Sequence, residues 1–191
     1  MKPLKKGRPR SDRARAAILD AANELLQEHP LLSITMDQIA QQAGVSKATL
    51  YRWWPHKLDV LIDAFVEHSP PRAKPTADHS PLATLKKGLA DLLDLFLGKE
   101  AQVIADIVGH GRAYPKAVRL FREGFLEPRR TIARQLVRDA QAQGEIRADI
   151  DVEIALDMIF GPLYYRLLVQ HLPLDRNMNK KIEHIIENGF R

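Results

Sequence analysis

Apolar residues recur along most of this chain at the spacing of an α-helix, and no segment shows the strict alternation expected of a strand. We therefore expect an all-α fold of about nine helices. Their predicted ranges are 11–28, 36–43, 47–54, 57–68, 80–97, 100–110, 116–143, 151–170 and 178–190. Two of these segments contain a proline, so Pro128 and Pro162 are expected to kink or end their helices.

Capping residues mark the short helices of the amino-terminal third. Ser11 is predicted to cap the first helix, and Thr35 with Gln38 three residues later has the pattern of a capping box. Gly44 can take the left-handed conformation that turns a chain sharply, and Ser46 then caps the next helix. The pattern predicts two short helices that meet across a tight turn.

A segment rich in proline and polar residues, SPPRAKPTADHSP, separates two parts of the chain. We expect a helix-turn-helix domain at residues 11–68 and a larger helical domain at residues 80–191. Residues 1–10 are predicted to form a basic, disordered arm. Residues 1–15 hold seven Lys or Arg and one acid, a net charge of +6, so this arm either contacts nucleic-acid phosphates or remains a solvated tail.

Composition excludes several classes of protein. Hydrophobic residues make up 45% and charged residues 28% of the chain, as in ordinary folded proteins, and no apolar run reaches the ~18–20 residues that span a bilayer. We expect a cytoplasmic protein with no membrane partner. The chain has no cysteine, and its histidines lack metal-ligand spacing, so no metal or cofactor is expected.

The spacing of small and apolar residues in the amino-terminal domain is typical of a helix-turn-helix. Ala40 allows close helix crossing, Gly44 forms the turn, and Leu50 anchors the second helix. The second helix then presents short and basic side chains to the major groove of double-stranded DNA, while flanking residues donate to phosphates. The predicted DNA-binding residues are Thr35, Ser46, Lys47, Ala48, Thr49, Tyr51, Arg52, Trp53, His56 and Lys57.

The stretch TMDQIAQQAGVSKATLYRWWPHKLDVLIDAF resembles the amino-terminal domain of the TetR family of bacterial transcriptional regulators, over about residues 11–66. It departs from the family pattern at Trp53 and Trp54. We interpret Trp54 as the buried anchor and Trp53 as the phosphate-side residue. The stretch GEIRADIDVEIALDMIFGPLYYRLL also resembles a regulatory domain of one branch of this family. The resemblance implies a homodimeric repressor of a palindromic operator that a small-molecule effector releases.

The carboxy-terminal helices carry enough apolar surface for a dimer interface and a ligand pocket. We expect a pocket coupled to DNA binding through the helices at 80–97 and 100–110, and an interface at residues 151–170 and 178–190. The apolar residues expected to form this interface are Ile154, Ile159, Leu163, Leu167, Leu168, Ile182, Ile185, Ile186 and Phe190. The residues expected to line the pocket are Phe96, Phe121, Phe125, Met158, Phe160, Tyr164 and Tyr165. For each of them core packing remains the alternative.

An all-helical enzyme or ligand carrier is the alternative function. An enzyme should show a nucleophile beside its base, paired carboxylates or a cofactor loop, and the sequence shows none of these. We therefore predict no catalytic residue.

Overall fold

The computed structural model describes residues 8–72 and 79–190, and all regular structure in these ranges is helical. The helices are α1 (Arg8–Glu28), α2 (Met36–Gln42), α3 (Lys47–Trp53), α4 (Lys57–His68), α5 (Pro81–Phe96), α6 (Glu100–Gly109), α7 (Pro115–Phe121), α8 (Glu127–Ala142), α9 (Val152–Val169) and α10 (Asn177–Gly189). A 3₁₀ turn, His110–Arg112, follows α6, and a π turn, Arg122–Leu126, joins α7 to α8 without a break. Because α7 and α8 form one continuous helix, the prediction of an all-α fold with about nine helices is confirmed for the described residues.

The predicted start of the first helix is wrong. Helix α1 begins at Arg8, so Ser11 lies inside it and not at its cap. Pro9 occupies the first turn, where a proline has no helical hydrogen bond to lose and its fixed φ favours the helix. Residues 8–10 of the predicted disordered arm are therefore helical, and residues 1–7 lie outside the described part of the chain.

The predicted caps of the short helices are confirmed. The backbone N–H of Gln38 donates to Thr35 Oγ1 at 3.3 Å, and the N–H of Thr35 donates to Gln38 Oε1 at 2.9 Å. Ser46 Oγ accepts from the N–H of Thr49 at 3.2 Å. Gly44 has a φ of 64°, the left-handed region that glycine enters without steric cost. The turn between α2 and α3 is thus fixed by local sequence.

Helices α1 to α4 form the amino-terminal part, in which α1 packs along α4 and contacts α2. Ile18, Ile39, Leu50 and Leu61 are completely buried between these helices. Trp54 is 4% exposed and its Nε1 donates to Asp63 Oδ2 at 2.7 Å, so its predicted role as a buried anchor is confirmed.

The carboxy-terminal part is built around α5, which packs against α8, α9 and α10, while α6 contacts α7 and α9. Pro162 lies inside α9 without ending it. Pro128 lies in the first turn of α8, directly after the π turn; it has no N–H to donate to the carbonyl of Gly124, and the helix widens there. No helix among the described residues is both long and apolar enough to cross a membrane.

The two parts meet where α4 packs against α7 and the π turn. A Cβ built on Gly124 would lie 2.9 Å from both γ-carbons of Val66, so only glycine permits this close approach. We expected α5 and α6 to link the regulatory part to α4. This expectation is corrected, because α7 and the π turn provide the main contact with α4. Of the predicted connection, residues 73–78 lie outside the described residues.

Candidate nucleic-acid interface and ligand cavity

Helix α3 exposes one side to solvent. Leu50 is completely buried and fixes the opposite side against α2, and the N–H of Val45 donates to the carbonyl of Ala40 at 3.0 Å across the turn. The exposed predicted DNA-binding residues of this region are Thr35, Ser46, Lys47, Ala48, Tyr51, Arg52, Trp53 and His56. Thr49 is half-buried, and its hydroxyl lies 2.9 Å from Ser46 Oγ. The structure therefore brings the predicted recognition residues together on one accessible surface.

Two cations on this surface have intramolecular partners. Lys47 Nζ lies 2.6 Å from Asp37 Oδ1, and the hydrogen bond that Lys47 donates to this carboxylate raises the pKa of Lys47. Both side chains are mostly exposed, so this pair is weak and a phosphate can replace the carboxylate. The guanidinium carbon of Arg52 lies 5.9 Å from the centre of the Trp53 ring, a cation–π contact that holds Arg52 beside the surface.

Lys57 and His56 have structural contacts that the sequence did not predict. Lys57 Nζ donates to the carbonyls of Leu32 at 2.5 Å and Ile34 at 3.1 Å, which leaves one ammonium N–H for a phosphate. His56 Nδ1 accepts from the N–H of Leu58 at 3.2 Å, so a neutral ring carries its proton on Nε2. Lys57 thus ties the loop before α2 to the start of α4, and His56 caps α4.

A cavity of about 330 Å³ lies between α5, α7, α8 and α9. Its lining is mainly apolar and includes three of the predicted ligand-binding residues, Phe121, Phe160 and Tyr164. Burial raises the pKa of Tyr164 to about 12, so its hydroxyl stays protonated at neutral pH. The volume falls in the range of small-molecule sites, roughly 300–1,000 Å³.

Four predicted ligand-binding residues do not line this cavity. Phe96 and Phe125 are buried in the core beside it, where Phe96 meets Tyr164 edge-on at 4.9 Å and Phe125 stacks on Phe121 at 4.9 Å. Met158 and Tyr165 are 54% and 57% exposed. Seven residues are nearly two helical turns, so these two share a face of α9 that points away from the cavity.

Charged groups also border the cavity. Arg129 contacts the Phe125 ring, with its guanidinium carbon 3.6 Å from the ring centre. Burial, with a smaller contribution from the positive charge of Arg72, lowers the pKa of Arg129 to about 10. Asp91 lies on the α5 wall, and its buried Oδ2 has no hydrogen-bond partner among the described residues. The cavity therefore has an apolar body and separate polar positions.

Two protein-family models match this chain. The model for "Bacterial regulatory proteins, tetR family" matches residues 18–64, and the model for "Tetracyclin repressor-like, C-terminal domain" matches residues 79–184. The chain belongs to the TetR family. The resemblance expected from the sequence is thereby confirmed for both parts of the molecule.

Individual TetR-family proteins agree with this assignment. YdeS of Bacillus subtilis (strain 168), an uncharacterized HTH-type transcriptional regulator, is 33% identical over 98% of this chain and 93% of its own length. The crystal structure of the TetR family transcription regulator SCO0332 has a TM-score of 0.74 at 27% identity, over 94% of this chain and 99% of that one. FadR from Bacillus subtilis, in complex with stearoyl-CoA, shares the fold, with a TM-score of 0.67 at 23% identity, over 92% of this chain and 99% of that one. This TetR-family chain is a DNA-binding transcriptional regulator.

The junction between the two parts contains polar residues that sequence reasoning missed. Asp59 is 3% exposed, and its carboxylate accepts from Tyr114 Oη at 3.0 Å and from Lys116 Nζ at 2.7 Å. The Tyr114 ring also stacks on His56 at 4.4 Å. A carboxylate beside the apolar stripe of α4 was a detectable signal, because such a group needs a buried partner. No local pattern indicated that α7 supplies that partner.

Helix α9 exposes several large apolar residues, and α10 exposes Ile185. Six residues predicted for the dimer interface are buried within their own chain: Ile159, Leu163, Leu167, Ile182, Ile186 and Phe190. The expectation that these six form the interface is corrected. The large apolar residues of this region that are 40% exposed or more are Ile154, Met158, Tyr165, Leu168, Val169, Leu172 and Ile185. Such an exposed apolar surface is typical of a contact with a partner.

Proposed function

We propose that two copies of this chain bind a near-palindromic operator as a repressor and that a small molecule in the cavity releases them. The observation that carries the proposal is the exposed side of α3, the second helix of the helix-turn-helix. This side carries Lys47, Ala48, Thr49 and Arg52. Such a helix enters the major groove with its amino-terminal residues near base edges. The neighbouring residues Tyr51, Trp53, His56 and Lys57 donate to phosphates in this proposal, and Thr35 and Ser46 place their helix N-termini beside the backbone.

Two copies are needed because one helix-turn-helix contacts few base pairs. Dimeric regulators place two recognition helices about one DNA turn, ~34 Å, apart, so a rigid connection must hold them. The exposed apolar residues of α9 and α10, including Met158 and Tyr165, support a two-fold four-helix interface. Residues 151–170 and 178–190 thus remain the proposed interface region, with the exposed residues as its contact surface.

Release requires a connection between the cavity and α3. Phe121 lines the cavity and belongs to α7, on which α4 packs. A ligand that favours a different position of α7 shifts α4 and the spacing of the two recognition helices. The ligand must favour the released state by several kcal/mol to change DNA occupancy substantially. FadR, which has this fold, was crystallised with stearoyl-CoA, and this supports a ligand-responsive role for the architecture.

Footprinting on genomic fragments tests the proposal directly. The full-length protein is expected to protect a near-symmetric site with two half-sites about one helical turn apart. Binding that saturates without sequence preference, or protection of a single unrepeated half-site, would contradict the dimeric operator model. A reporter joined to the protected site then distinguishes the sign of regulation, with higher expression expected when the regulator is deleted.

A further inference from the structure

Arg129 connects the cavity to the end of the DNA-binding part. Its Nη2 donates to the carbonyl of Ser69 at 2.5 Å, and its Nη1 donates to the carbonyl of Phe125 at 2.9 Å. Ser69 is the residue that ends α4, and Phe125 belongs to the π turn on which α4 packs. One guanidinium therefore borders the cavity and binds Ser69, the capping residue directly after α4.

Within the described ranges, this guanidinium has no counter-charge. No acidic side chain among residues 8–72 and 79–190 forms an ion pair with Arg129, whereas its neighbours on α8, Arg130 and Arg134, both bind Glu153. The other titratable groups that act on Arg129 are Arg72, which also borders the cavity, and the Tyr164 phenol. Asp91, whose buried Oδ2 has no hydrogen-bond partner among the described residues, is not among them, so it does not neutralise Arg129.

Arg129 is a half-buried cation whose acceptors among the described residues are all neutral, so it has lost more hydration than it has regained. Desolvation lowers the pKa of Arg129 to about 10, which shows the direction of this cost, although the group remains charged at neutral pH. Two of its five N–H groups donate to carbonyls, and the other three have no acceptor in the part of the chain that the structure describes. An anion in the cavity would gain a charge-assisted and geometrically bidentate partner there.

We propose that the effector is an anionic amphiphile whose acidic group binds Arg129, with its apolar part between α5, α8 and α9, and that this contact draws Arg129 away from the Ser69 carbonyl. The inference rests on the proposed ligand-released regulator and assigns its ligand class and its trigger. Loss of the Arg129–Ser69 hydrogen bond frees the end of α4, and the change in α4 is transmitted to α3 through their common core. A neutral apolar ligand can fill the cavity but has no means of competing for Arg129.

Two fluorescent dyes test the ligand class, because they differ mainly by one anionic group. The probes are 8-anilino-1-naphthalenesulfonate and the uncharged N-phenyl-1-naphthylamine, titrated into the full-length protein. Arg129→Met is expected to weaken the sulfonate dye by about tenfold or more and to leave the neutral dye within about twofold. Arg138→Met, on an exposed position of the same helix, is the matched control and should change neither.

A second variant shows where the dyes bind. Ala133 lines the cavity one helical turn after Arg129, so Ala133→Phe should exclude both dyes. The proposal is overturned if Arg129→Met and Arg138→Met weaken the sulfonate dye equally, or if Ala133→Phe leaves its binding intact. Far-ultraviolet circular dichroism of each variant checks its folding, and Arg129→Lys, which keeps a cation, should retain part of the preference for the sulfonate.

Hydrogen exchange tests the trigger without any need for an operator. The sulfonate dye is expected to speed exchange several-fold in peptides that contain the end of α4, where the N–H of Ser69 donates to the carbonyl of Val66. Arg129→Met should show the same faster exchange without dye and no further increase with it. If the dye binds at Arg129 while this exchange stays unchanged, the proposed trigger is wrong. These readouts are independent of DNA binding, so failure of the repressor model would appear separately, in the footprint.

Discussion

Asp59 of α4 and Lys116 of α7 form an ion pair of 2.7 Å across the junction between the DNA-binding part and the cavity-bearing part. The two side chains differ in environment, since that of Asp59 is 4% exposed and that of Lys116 is 39% exposed. The pair and the Tyr114 hydroxyl together satisfy the buried carboxylate. A signal that passes from α7 to α4 therefore encounters a charged contact that orients one helix on the other.

Because Asp59 is buried and Lys116 is partly exposed, substitutions of the two residues should lower the stability of the protein by different amounts. Lys116→Met leaves a buried carboxylate with one hydroxyl partner and should cost about 2–4 kcal/mol of unfolding free energy. Asp59→Asn leaves an ammonium that solvent can reach, and should cost only about 1–2 kcal/mol. Urea unfolding of both single variants and the double variant measures the coupling. Additive effects of the two substitutions would show that the ion pair has no energetic role.

Gly124 and Val66 provide a steric test of the same junction. Gly124→Ala should destabilise the protein by about 1–3 kcal/mol, because the added methyl group overlaps both γ-carbons of the stiff Val66 side chain. Val66→Ala should restore most of the loss in the double variant. Gly109→Ala is the control, since a Cβ there meets no atom within 4 Å. Equal thermal stability of the Gly124 and Gly109 variants would contradict the close contact.

The ion pairs of Glu153 with Arg130 and Arg134 predict that the stability of the protein depends on pH. Hydrogen bonds from Arg134 and then Arg130 lower the pKa of Glu153 to about 2 in the folded protein. Because the folded pKa is depressed, its contribution to stability is complete above the unfolded pKa, roughly 4.3, and is lost as the pH falls to about 2. The difference in urea midpoint between wild type and Glu153→Gln should therefore shrink across this range.

The control for this experiment is Glu67→Gln, which removes an exposed glutamate that forms no ion pair with any described residue. Its difference from wild type should be small and nearly independent of pH. A Glu153→Gln effect that stays constant between neutral pH and pH 3 would show that the arginine contacts do not stabilise the charged form.

Thr49 is the residue on α3 whose substitution should separate sequence reading from general DNA affinity. Thr49→Val keeps the shape and removes the hydroxyl, and should cost about 1–3 kcal/mol on the operator if that hydroxyl contacts a base edge. Binding to a scrambled duplex at the same salt concentration should barely change. Thr131→Val, at an exposed position of α8, is the matched control. Equal losses on both duplexes would assign Thr49 to the DNA backbone.

The amino-terminal part was predictable because its signals are local. The Thr35 capping box, the Gly44 turn and the Ser46 cap each depend on residues within four positions, and the structure contains all three. The start of α1 was missed because Ser11 has the side chain of a cap but lies after Pro9, which itself favours the first turn. Cap residues indicate possible helix starts, and the preceding residues decide between them.

The cavity was only partly predictable, since periodicity alone does not say which face of a helix turns inward. On α9 the predicted residues Phe160 and Tyr164 line the cavity, whereas Met158 and Tyr165 face solvent. Apolar residues occur on every side of α9. The spacing of apolar residues therefore could not distinguish the face that packs in the core from a face that contacts a partner. Arg129 contacts Ser69, and Asp59 contacts Lys116. Each contact joins residues about 60 positions apart in the chain, so no local pattern could indicate it.

The most direct test of the proposed dimeric regulator is Met158→Glu, which places a charge on the exposed apolar face of α9. Sedimentation at micromolar concentration should show a wild-type dimer and a monomeric variant, with Gln143→Glu as an exposed control that remains dimeric. The monomer should bind the operator about 100-fold more weakly or worse, and a scrambled duplex with an affinity per protomer within about threefold of wild type. A monomeric variant that binds the operator as tightly as wild type, or a variant that still dimerises, would contradict the account.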